Sequence, residues 1–345
     1  MCLVIKMINI YEFTLEELEV YLIGKGFKKF NARQLYEWVY KKGVRSFSEM
    51  TNISKKMKEF LHRNVSFFDV QVEKHQKSND GTEKFLFKLE DGSLIETVLM
   101  RHSYGNSVCV TTQLGCNIGC SFCASGLEQK KRDLRAYEIV LQVLKVQEIV
   151  KDRISHVVVM GGGEPFDNYN NTMKFIDIIN SPYGLEIGAR HITVSTSGLV
   201  PKIKEFSLEA KQVNLAISLH ASNDRVRSKL MKINDVYSID QVIDAAKYYI
   251  EQTNRRVTFE YILLQDVNDS LDHAKELAEL LRGMNCYVNL IRYNAVKEFD
   301  YKGTSQSRAE AFQQRLLKRG INTTLRKEKG GDIDAACGQL RGKKA

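Results

Sequence analysis

The spacing of hydrophobic and polar positions divides the first hundred residues into two regions. Residues 12–65 have helical spacing, with Thr14 and Glu17 placed as a capping box and Gly43 placed as a helix stop. Residues 70–100 alternate between hydrophobic and polar positions as strands do, and Asp91-Gly92 is a favoured two-residue turn. These patterns predict a small helical module followed by a β-hairpin.

From residue 107 onwards, hydrophobic runs of strand length alternate with segments of helical spacing. Such alternation is typical of a parallel sheet covered by helices, either doubly wound or curled into a barrel. Six such units are too few for an eight-fold barrel. We therefore expect an α/β protein with a partial (β/α)6 barrel at 101–345, a helical accessory domain at 1–68 and a hairpin connection at 69–100.

Composition and charge narrow the class of protein. The 345 residues contain no apolar run near 18 residues, and the first residues lack the basic stretch and cleavage site of a signal peptide. We expect a cytoplasmic protein that does not bind membranes. The net charge is +9, and residues 297–345 hold 12 basic and 6 acidic side chains. This excess favours a polyanionic partner, with nucleic acid as the first candidate.

Three cysteines in the segment GCNIGCSFCASG have the spacing C-x3-C-x2-C: Cys116, Cys120 and Cys123. A structural zinc site closes with four ligands, and a cubane iron–sulfur cluster also usually takes four thiolates. A zinc site here needs a distant fourth ligand. A cluster with three thiolates instead keeps one iron open for a ligand from outside.

The cysteine spacing resembles that of the radical S-adenosylmethionine (SAM) superfamily, whose motif lies on the loop after the first barrel strand. The resemblance implies a 4Fe–4S cluster with three cysteine ligands, whose open iron binds SAM and whose electron cleaves it to methionine and a 5′-deoxyadenosyl radical. MGGGEP matches the motif that holds the SAM amino group. The residues expected to bind SAM are Gly163, Glu164, Ser195, Ser218, Leu219, His220 and Asn294.

Two further cysteines narrow the resemblance to the RlmN/Cfr family of radical SAM RNA adenosine methyltransferases. Cys109 lies in the first barrel strand, and Cys337 lies in the glycine-rich segment GGDIDAACGQLRG. Stretches that resemble this family extend across nearly the whole chain and include KKFNARQLYEWVY, IETVLM, VVMGGGEPFDN and RRVTFEYILL.

The resemblance implies a reaction that uses both of these thiols and two SAM molecules per turnover. A first SAM methylates Cys337, and the radical from a second SAM removes a hydrogen from the S-methyl group. The carbon radical adds to C2 of adenine, a base removes the C2 proton, and the protein–RNA thioether breaks as Cys109 closes a disulfide onto Cys337. Glu96 occupies the position that the family assigns to the proton acceptor. A cytosolic redox poise permits reduction of the disulfide.

By the same resemblance, the expected substrates are an adenosine in the peptidyl-transferase centre of 23S rRNA and the adenosine 3′ of the anticodon in tRNAs. We also expect a flavodoxin-type electron donor and a monomer. Basic side chains that could contact RNA backbone are Lys41, Lys42, Arg45, Lys55, Lys56, Lys58, Lys130, Lys131, Arg132 and Arg135.

Three other functions stay open at this stage. Arg292-Tyr293 matches the C8-directed branch that confers antibiotic resistance, whereas EPFDN and FNARQLYEWVY match the C2-directed branch. An iron–sulfur or zinc RNA-binding protein would bind RNA without cleaving SAM. A radical SAM activase that forms a glycyl radical on a partner protein would not need Cys337.

Overall fold

The computed structural model describes residues 7–209, 212–340 and 342. The helices are α1 (Leu15–Ile23), α2 (Phe30–Tyr36), α3 (Lys55–Asn64), α4 (Ala136–Val150), α5 (Tyr169–Asn180), α6 (Val200–Leu208), α7 (Asp224–Leu230), α8 (Ile239–Thr253), α9 (Leu271–Leu280) and α10 (Gln306–Leu317). The strands are β1 (Ile8–Asn9), β2 (Val65–Ser66), β3 (Gln71–Lys77), β4 (Glu83–Lys88), β5 (Leu94–His102), β6 (Gly105–Cys109), β7 (Gln113–Leu114), β8 (Arg132–Asp133), β9 (Ile154–Val159), β10 (Ile192–Thr196), β11 (Asn214–Ser218), β12 (Val257–Leu263), β13 (Cys286–Arg292) and β14 (Thr323–Leu325).

Seven parallel strands form the partial barrel, in the order β6-β9-β10-β11-β12-β13-β14. The first six of these strands are each followed by helix, which confirms the predicted six βα units. The crossover between β11 and β12 contains two helices, and the sequence analysis did not predict the first of them, α7. The sheet stays open because β14 lies at one of its edges.

Strands β3, β4 and β5 continue the barrel sheet as an antiparallel extension beside β6. The predicted hairpin joins β4 to β5, with Gly92 at φ +83° and the Leu89 carbonyl accepting its amide at 3.0 Å. The edge strand β3 is exposed and polar along most of its length, which limits edge-to-edge pairing. Strand β5 is mostly buried on both faces: Thr97 contacts Gln142 of α4, whereas Val98 packs with Cys109 on the opposite face.

The helical module packs against the outside of the barrel. The predicted capping box of Thr14 and Glu17 begins α1, and α2 continues into a π-helical turn over Glu37–Lys41. Two of the basic residues named as RNA candidates are used in this packing. Arg45 pairs with Glu148 of α4 at 2.6 Å, and Lys41 pairs with Glu186 at 2.8 Å.

Helix α4 is buried on almost every side, because the barrel sheet covers one face and the helical module covers the other. A helix that is apolar all round is expected in such a position. Across the described ranges, no helix combines the length and the hydropathy needed to cross a membrane.

Candidate active site

The cysteine loop begins after β7, and close backbone packing fixes its path. Gly115 has a φ of +77°, and a Cβ there would lie 2.3 Å from the carbonyl oxygen of Gln129. The Cys116 amide donates to the carbonyl oxygen of Glu128 at 3.0 Å. Because no other residue type fits at position 115, the loop enters its first cysteine along a single course.

The three thiols of the loop line one cavity of about 160 Å³ at the carboxyl ends of the barrel strands. Burial raises the pKa of Cys116 to about 12 and raises the pKa values of Cys120 and Cys123 as well. Neighbouring thiols add to the effect at Cys116 and Cys120. Thiolates at these positions require positive charge among them, which the irons of a cluster supply.

The three thiols are the candidate donors for a metal group. In the parts of the chain that the structure describes, no three His, Cys, Asp or Glu side chains converge as ligands of a single metal ion. Three thiols that line one cavity are a suitable donor set for a cluster in which each iron takes one thiolate. This donor set fits the expected 4Fe–4S cluster.

The glycine-rich segment after β9 packs directly on the chain that leads into the cysteine loop. A Cβ on Gly163, which has a φ of +98°, would lie 2.5 Å from Cβ of Gln113. A Cβ on Gly161 would lie 2.6 Å from the carbonyl oxygen of Val110. Gln113 accepts the Glu164 amide at 2.8 Å. The sequence analysis did not single out Gln113, although a polar residue at the end of VCVTTQ was visible there.

Glu164 is buried and held by backbone amides. Its Oε1 accepts from the Phe166 amide at 3.0 Å, and its Oε2 accepts from the Ser197 amide at 2.7 Å. Burial raises the pKa of this carboxyl, and the amide hydrogen bonds act in the opposite direction. Glu164 is therefore fixed between the ends of β9 and β10, and it lines the thiol cavity, where it can hold a cationic group.

The structure separates the residues predicted to bind SAM into two groups. Those that line the thiol cavity are Gly163, Glu164, Ser195, Ser218 and His220. Leu219 is fully buried, and Asn294 lines a neighbouring groove. The carboxyl ends of several parallel strands thus bring most of the predicted set to one cavity.

His220, which lines the thiol cavity, stabilises the backbone around it. It adopts a φ of +55°, its Nδ1 accepts the Ile262 amide at 3.0 Å, and its ring meets Phe122 edge-on with centroids 5.0 Å apart. Burial, with a smaller effect of Arg227, lowers the pKa of His220 to about 3. The imidazole is therefore neutral at physiological pH and supports the end of β12 as an acceptor.

Arg227 is a buried positioning residue for the residues that line the thiol cavity, and the sequence analysis missed it. Its fully buried guanidinium donates to the carbonyl oxygens of Ser197 at 2.6 Å and Leu219 at 3.2 Å, and to Asn234 at 3.0 Å. Burial lowers its pKa to about 10, so the group stays charged at neutral pH. Arg227 ties together the loops that follow β10 and β11. In the segment DRVRSKL it looks like an ordinary exposed helical arginine.

Cys109 and Cys337, far apart in the sequence, lie at the same cavity. Both line a small space of about 50 Å³ together with Cys123. Burial raises the pKa of Cys109 to about 12, and the Cys337 thiol adds to this. The described cysteines are free thiols, so the disulfide implied by the resemblance is not supported by this structure.

Cys337 belongs to a segment that is fastened to the cysteine loop. We call residues 330–340 and 342 the C-terminal segment. The carbonyl oxygen of Gly338 accepts the Ala124 amide at 2.7 Å, and that of Leu340 accepts the Ser125 hydroxyl at 2.7 Å. These contacts place Cys337 beside the thiol cavity.

Arg326 places a positive charge next to the Cys337 sulfur. Its Nη1 lies 4.0 Å from Cys337 Sγ and 3.6 Å from Oε2 of the buried Glu260. Glu260 is in turn held by Asn289 at 2.9 Å. The Cys337 thiol is the main cause that raises the pKa of Arg326. The contact holds the Cys337 sulfur beside a fixed cation. Neither Arg326 nor Glu260 was predicted from the sequence.

A groove of about 680 Å³ opens on the other side of Cys337. Its polar lining includes Asn294, Arg292, Lys327 and Lys329. Cys337 borders both this groove and the thiol cavity. The arrangement can expose one sulfur to a small molecule on one side and to a larger polyanion on the other.

Glu96 lies on the same face of the sheet as Cys109 and diagonal to it, because Val98 is the residue directly opposite Cys109. Its Oε1 lies 3.2 Å from Nζ of Lys84, and its Oε2 accepts the Gly342 amide at 3.0 Å. The carboxylate lines a cavity of about 270 Å³ that is bordered by the C-terminal segment.

Comparisons with known proteins agree with this architecture. The Radical SAM superfamily model matches residues 110–281, and the model of the ribosomal RNA large subunit methyltransferase N-terminal domain matches residues 8–66. A radical SAM methyltransferase of known crystal structure from Sphaerobacter thermophilus is 43% identical, with a TM-score of 0.91 over 97% of this chain and 100% of that one.

The fold and the cysteine loop thus define a radical SAM enzyme with a methyltransferase accessory domain. Probable dual-specificity RNA methyltransferases RlmN from Acholeplasma laidlawii and Geobacillus kaustophilus are 58% and 55% identical to this chain. The matches cover 96% and 97% of this chain and 98% and 93% of those proteins. The chain belongs to the RlmN family of RNA methyltransferases. Membership implies a 4Fe–4S cluster and SAM as cofactors.

Proposed function

We propose that this enzyme methylates C2 of adenosine in 23S rRNA and in tRNAs, with Cys337 as the methyl carrier and Cys109 as the resolving thiol. One observation carries the proposal: Cys109, Cys337 and the cluster-loop residue Cys123 line one small cavity. Ordinary methyl transfer needs no protein thiols. Two thiols beside a cluster site suit covalent catalysis, in which a difficult step is divided into easier ones.

The cluster and bound SAM supply an electron and a carbon-centred radical when they are present. The residues of this chain perform the other tasks. Arg326 contacts the Cys337 sulfur and orients it to accept a methyl group. Cys109 lies where it can close onto Cys337 after the transfer, and Glu96 takes the C2 proton. The groove beside Cys337 admits the RNA, and Lys327 and Lys329 neutralise phosphates there. The flipped adenosine has to reach from this groove to Glu96, which lines a separate cavity.

We also propose a division into three parts: an accessory domain at 1–68, a connection at 69–100 and a barrel at 101–345. The same proposal includes a flavodoxin-type electron donor, a monomeric state and a cytoplasmic location. Relatives that carry the name dual-specificity RNA methyltransferase support two RNA substrates. Several basic residues of the predicted RNA surface are committed to ion pairs. Lys130 pairs with Asp167 and Arg132 pairs with Glu138.

The test is an anaerobic assay of reconstituted protein with SAM, a reductant and either a 23S rRNA fragment or tRNA. Nucleoside mass spectrometry against 2-methyladenosine and 8-methyladenosine standards identifies the product. We expect 2-methyladenosine from both RNAs and none from Cys337→Ala. Cys286→Ala is the matched control, since Cys286 is a buried thiol at the start of β13. A product methylated at C8 would assign the chain to the other regiochemistry, and SAM cleavage without product would refute the substrate.

A further inference from the structure

Lys84 is a lysine in an unusual place. It lies on β4 with 6% of its surface exposed, whereas lysine is almost never fully buried unless it is paired. Lys84 is directly opposite Val98, which is in turn directly opposite Cys109 on β6. Strands in a sheet are about 4.8 Å apart, so Lys84 lies roughly 10 Å from Cys109 along one row of inward-facing residues.

The ammonium group of Lys84 contacts both the expected base and the segment that carries Cys337. Its Nζ lies 3.2 Å from Glu96 Oε1 and donates to the carbonyl oxygen of Asp334 at 3.1 Å. The other carboxylate oxygen of Glu96 accepts the Gly342 amide at 3.0 Å. The pair therefore touches the C-terminal segment on both sides of Cys337.

A buried ion pair is a poor source of stability. Moving two charges out of water costs several kcal/mol per ion, and apolar residues of similar volume often serve stability as well or better. The side chains of Lys84 and Glu96 are only 8% and 6% exposed. Such a pair is better explained by a requirement for a charged group at a fixed position.

We propose that Lys84 is a positioning residue for the proton-transfer step, holding the Glu96 carboxylate in a fixed place relative to the segment that carries Cys337. The inference rests on the proposed function and deepens it. The step breaks the C2–H bond of the thioether-linked adenine: its proton passes to Glu96, which becomes a neutral carboxylic acid, and its electron pair stays in the adenine ring. Without Lys84, the thioether between Cys337 and RNA forms but resolves slowly.

The experiment uses reconstituted enzyme and compares Lys84→Met, Lys84→Arg and Glu96→Gln. The covalent protein–RNA adduct is measured on denaturing gels, and 2-methyladenosine is measured by mass spectrometry. Removal of a general base typically lowers a rate by 10² or more. We expect about that loss of product for Glu96→Gln and roughly a tenfold loss for Lys84→Met, both with accumulation of adduct. Lys84→Arg keeps the charge and restores part of the product.

Lys88→Met is the matched control, since Lys88 lies on the same strand with its side chain exposed; it should behave as wild type. A Lys84→Met enzyme that loses adduct and product together has lost the fold of the C-terminal segment, and this result overturns the inference. Wild-type levels of product in Lys84→Met overturn it equally. Absence of 2-methyladenosine from the wild-type enzyme refutes the proposed function instead.

Discussion

The neutral state of His220 leads to a prediction that can be worked out quantitatively. The imidazole is 6% exposed and its pKa is lowered from 6.5 to about 3. Each pKa unit corresponds to about 1.4 kcal/mol, so protonating His220 in the folded protein at neutral pH costs roughly 5 kcal/mol more than in the unfolded chain. The cause is burial first and the cation of Arg227 second.

The sign of the effect on stability follows from proton binding. Between pH 6.5 and about pH 3, His220 binds a proton in the unfolded chain and not in the folded one. The free energy of unfolding therefore falls as the pH falls through this range. Between pH 7.5 and pH 5.0 the loss from this one group is about 2 kcal/mol.

The matched variant is His220→Asn. Asparagine tolerates the left-handed φ of this position better than most residues, and its amide oxygen can accept the Ile262 amide. The other titrating groups act in both proteins, so the difference between their pH dependences isolates His220. Urea unfolding of metal-free protein is followed by far-UV circular dichroism, because the single Trp lies in the helical module and reports on that module alone.

A second measurement reads the pKa directly. In protein labelled with ¹³C-histidine, the ring signal that disappears in His220→Asn should keep its neutral shift down to pH 5. If that signal instead titrates near pH 6.5, the reasoning from burial is wrong. The reasoning is equally refuted if wild type and His220→Asn lose the same stability between pH 7.5 and pH 5.0.

Three further results are expected. Gly163→Ala should lower the melting temperature far more than Gly283→Ala. Both glycines have a positive φ, which strains an alanine by about 1–2 kcal/mol, but only at Gly163 would the new Cβ clash, 2.5 Å from the nearest atom. Equal shifts in the two variants would contradict this reasoning. In metal-free protein at pH 8, iodoacetamide should label the exposed Cys337 well before the buried Cys109. The pKa of Cys109 is about 12, so roughly one molecule in ten thousand carries the Cys109 thiolate at this pH. Peptide mass spectrometry gives the order of labelling, and faster labelling of Cys109 would contradict the prediction. Arg227→Met should lower the free energy of unfolding by about 3 kcal/mol or more, because several buried carbonyl oxygens lose their hydrogen-bond donor. A change under about 1 kcal/mol would show that those carbonyl oxygens find other partners.

Local patterns determined much of this protein without reference to its tertiary structure. The capping box at Thr14, the turn at Gly92 and helix α4 each depend on residues close together in the chain, and the structure contains all three. The local spacing of hydrophobic residues also predicts the six βα units. The spacing of the cluster cysteines is a local signal too, because one loop supplies all of them.

The tertiary structure decided the contacts between distant segments. Lys84, Arg227 and Arg326 carry no local pattern that separates them from exposed basic residues, yet each is held inside the site by partners from other strands or loops. The same holds for Arg45, a candidate RNA contact in the sequence that is paired with α4 in the structure. A charged side chain is retained inside a protein only where partners surround it. Those partners come from distant parts of the chain, and only folding brings them together. The sequence alone thus determined the elements and the cluster loop, and folding selected which charged residues serve the chemistry.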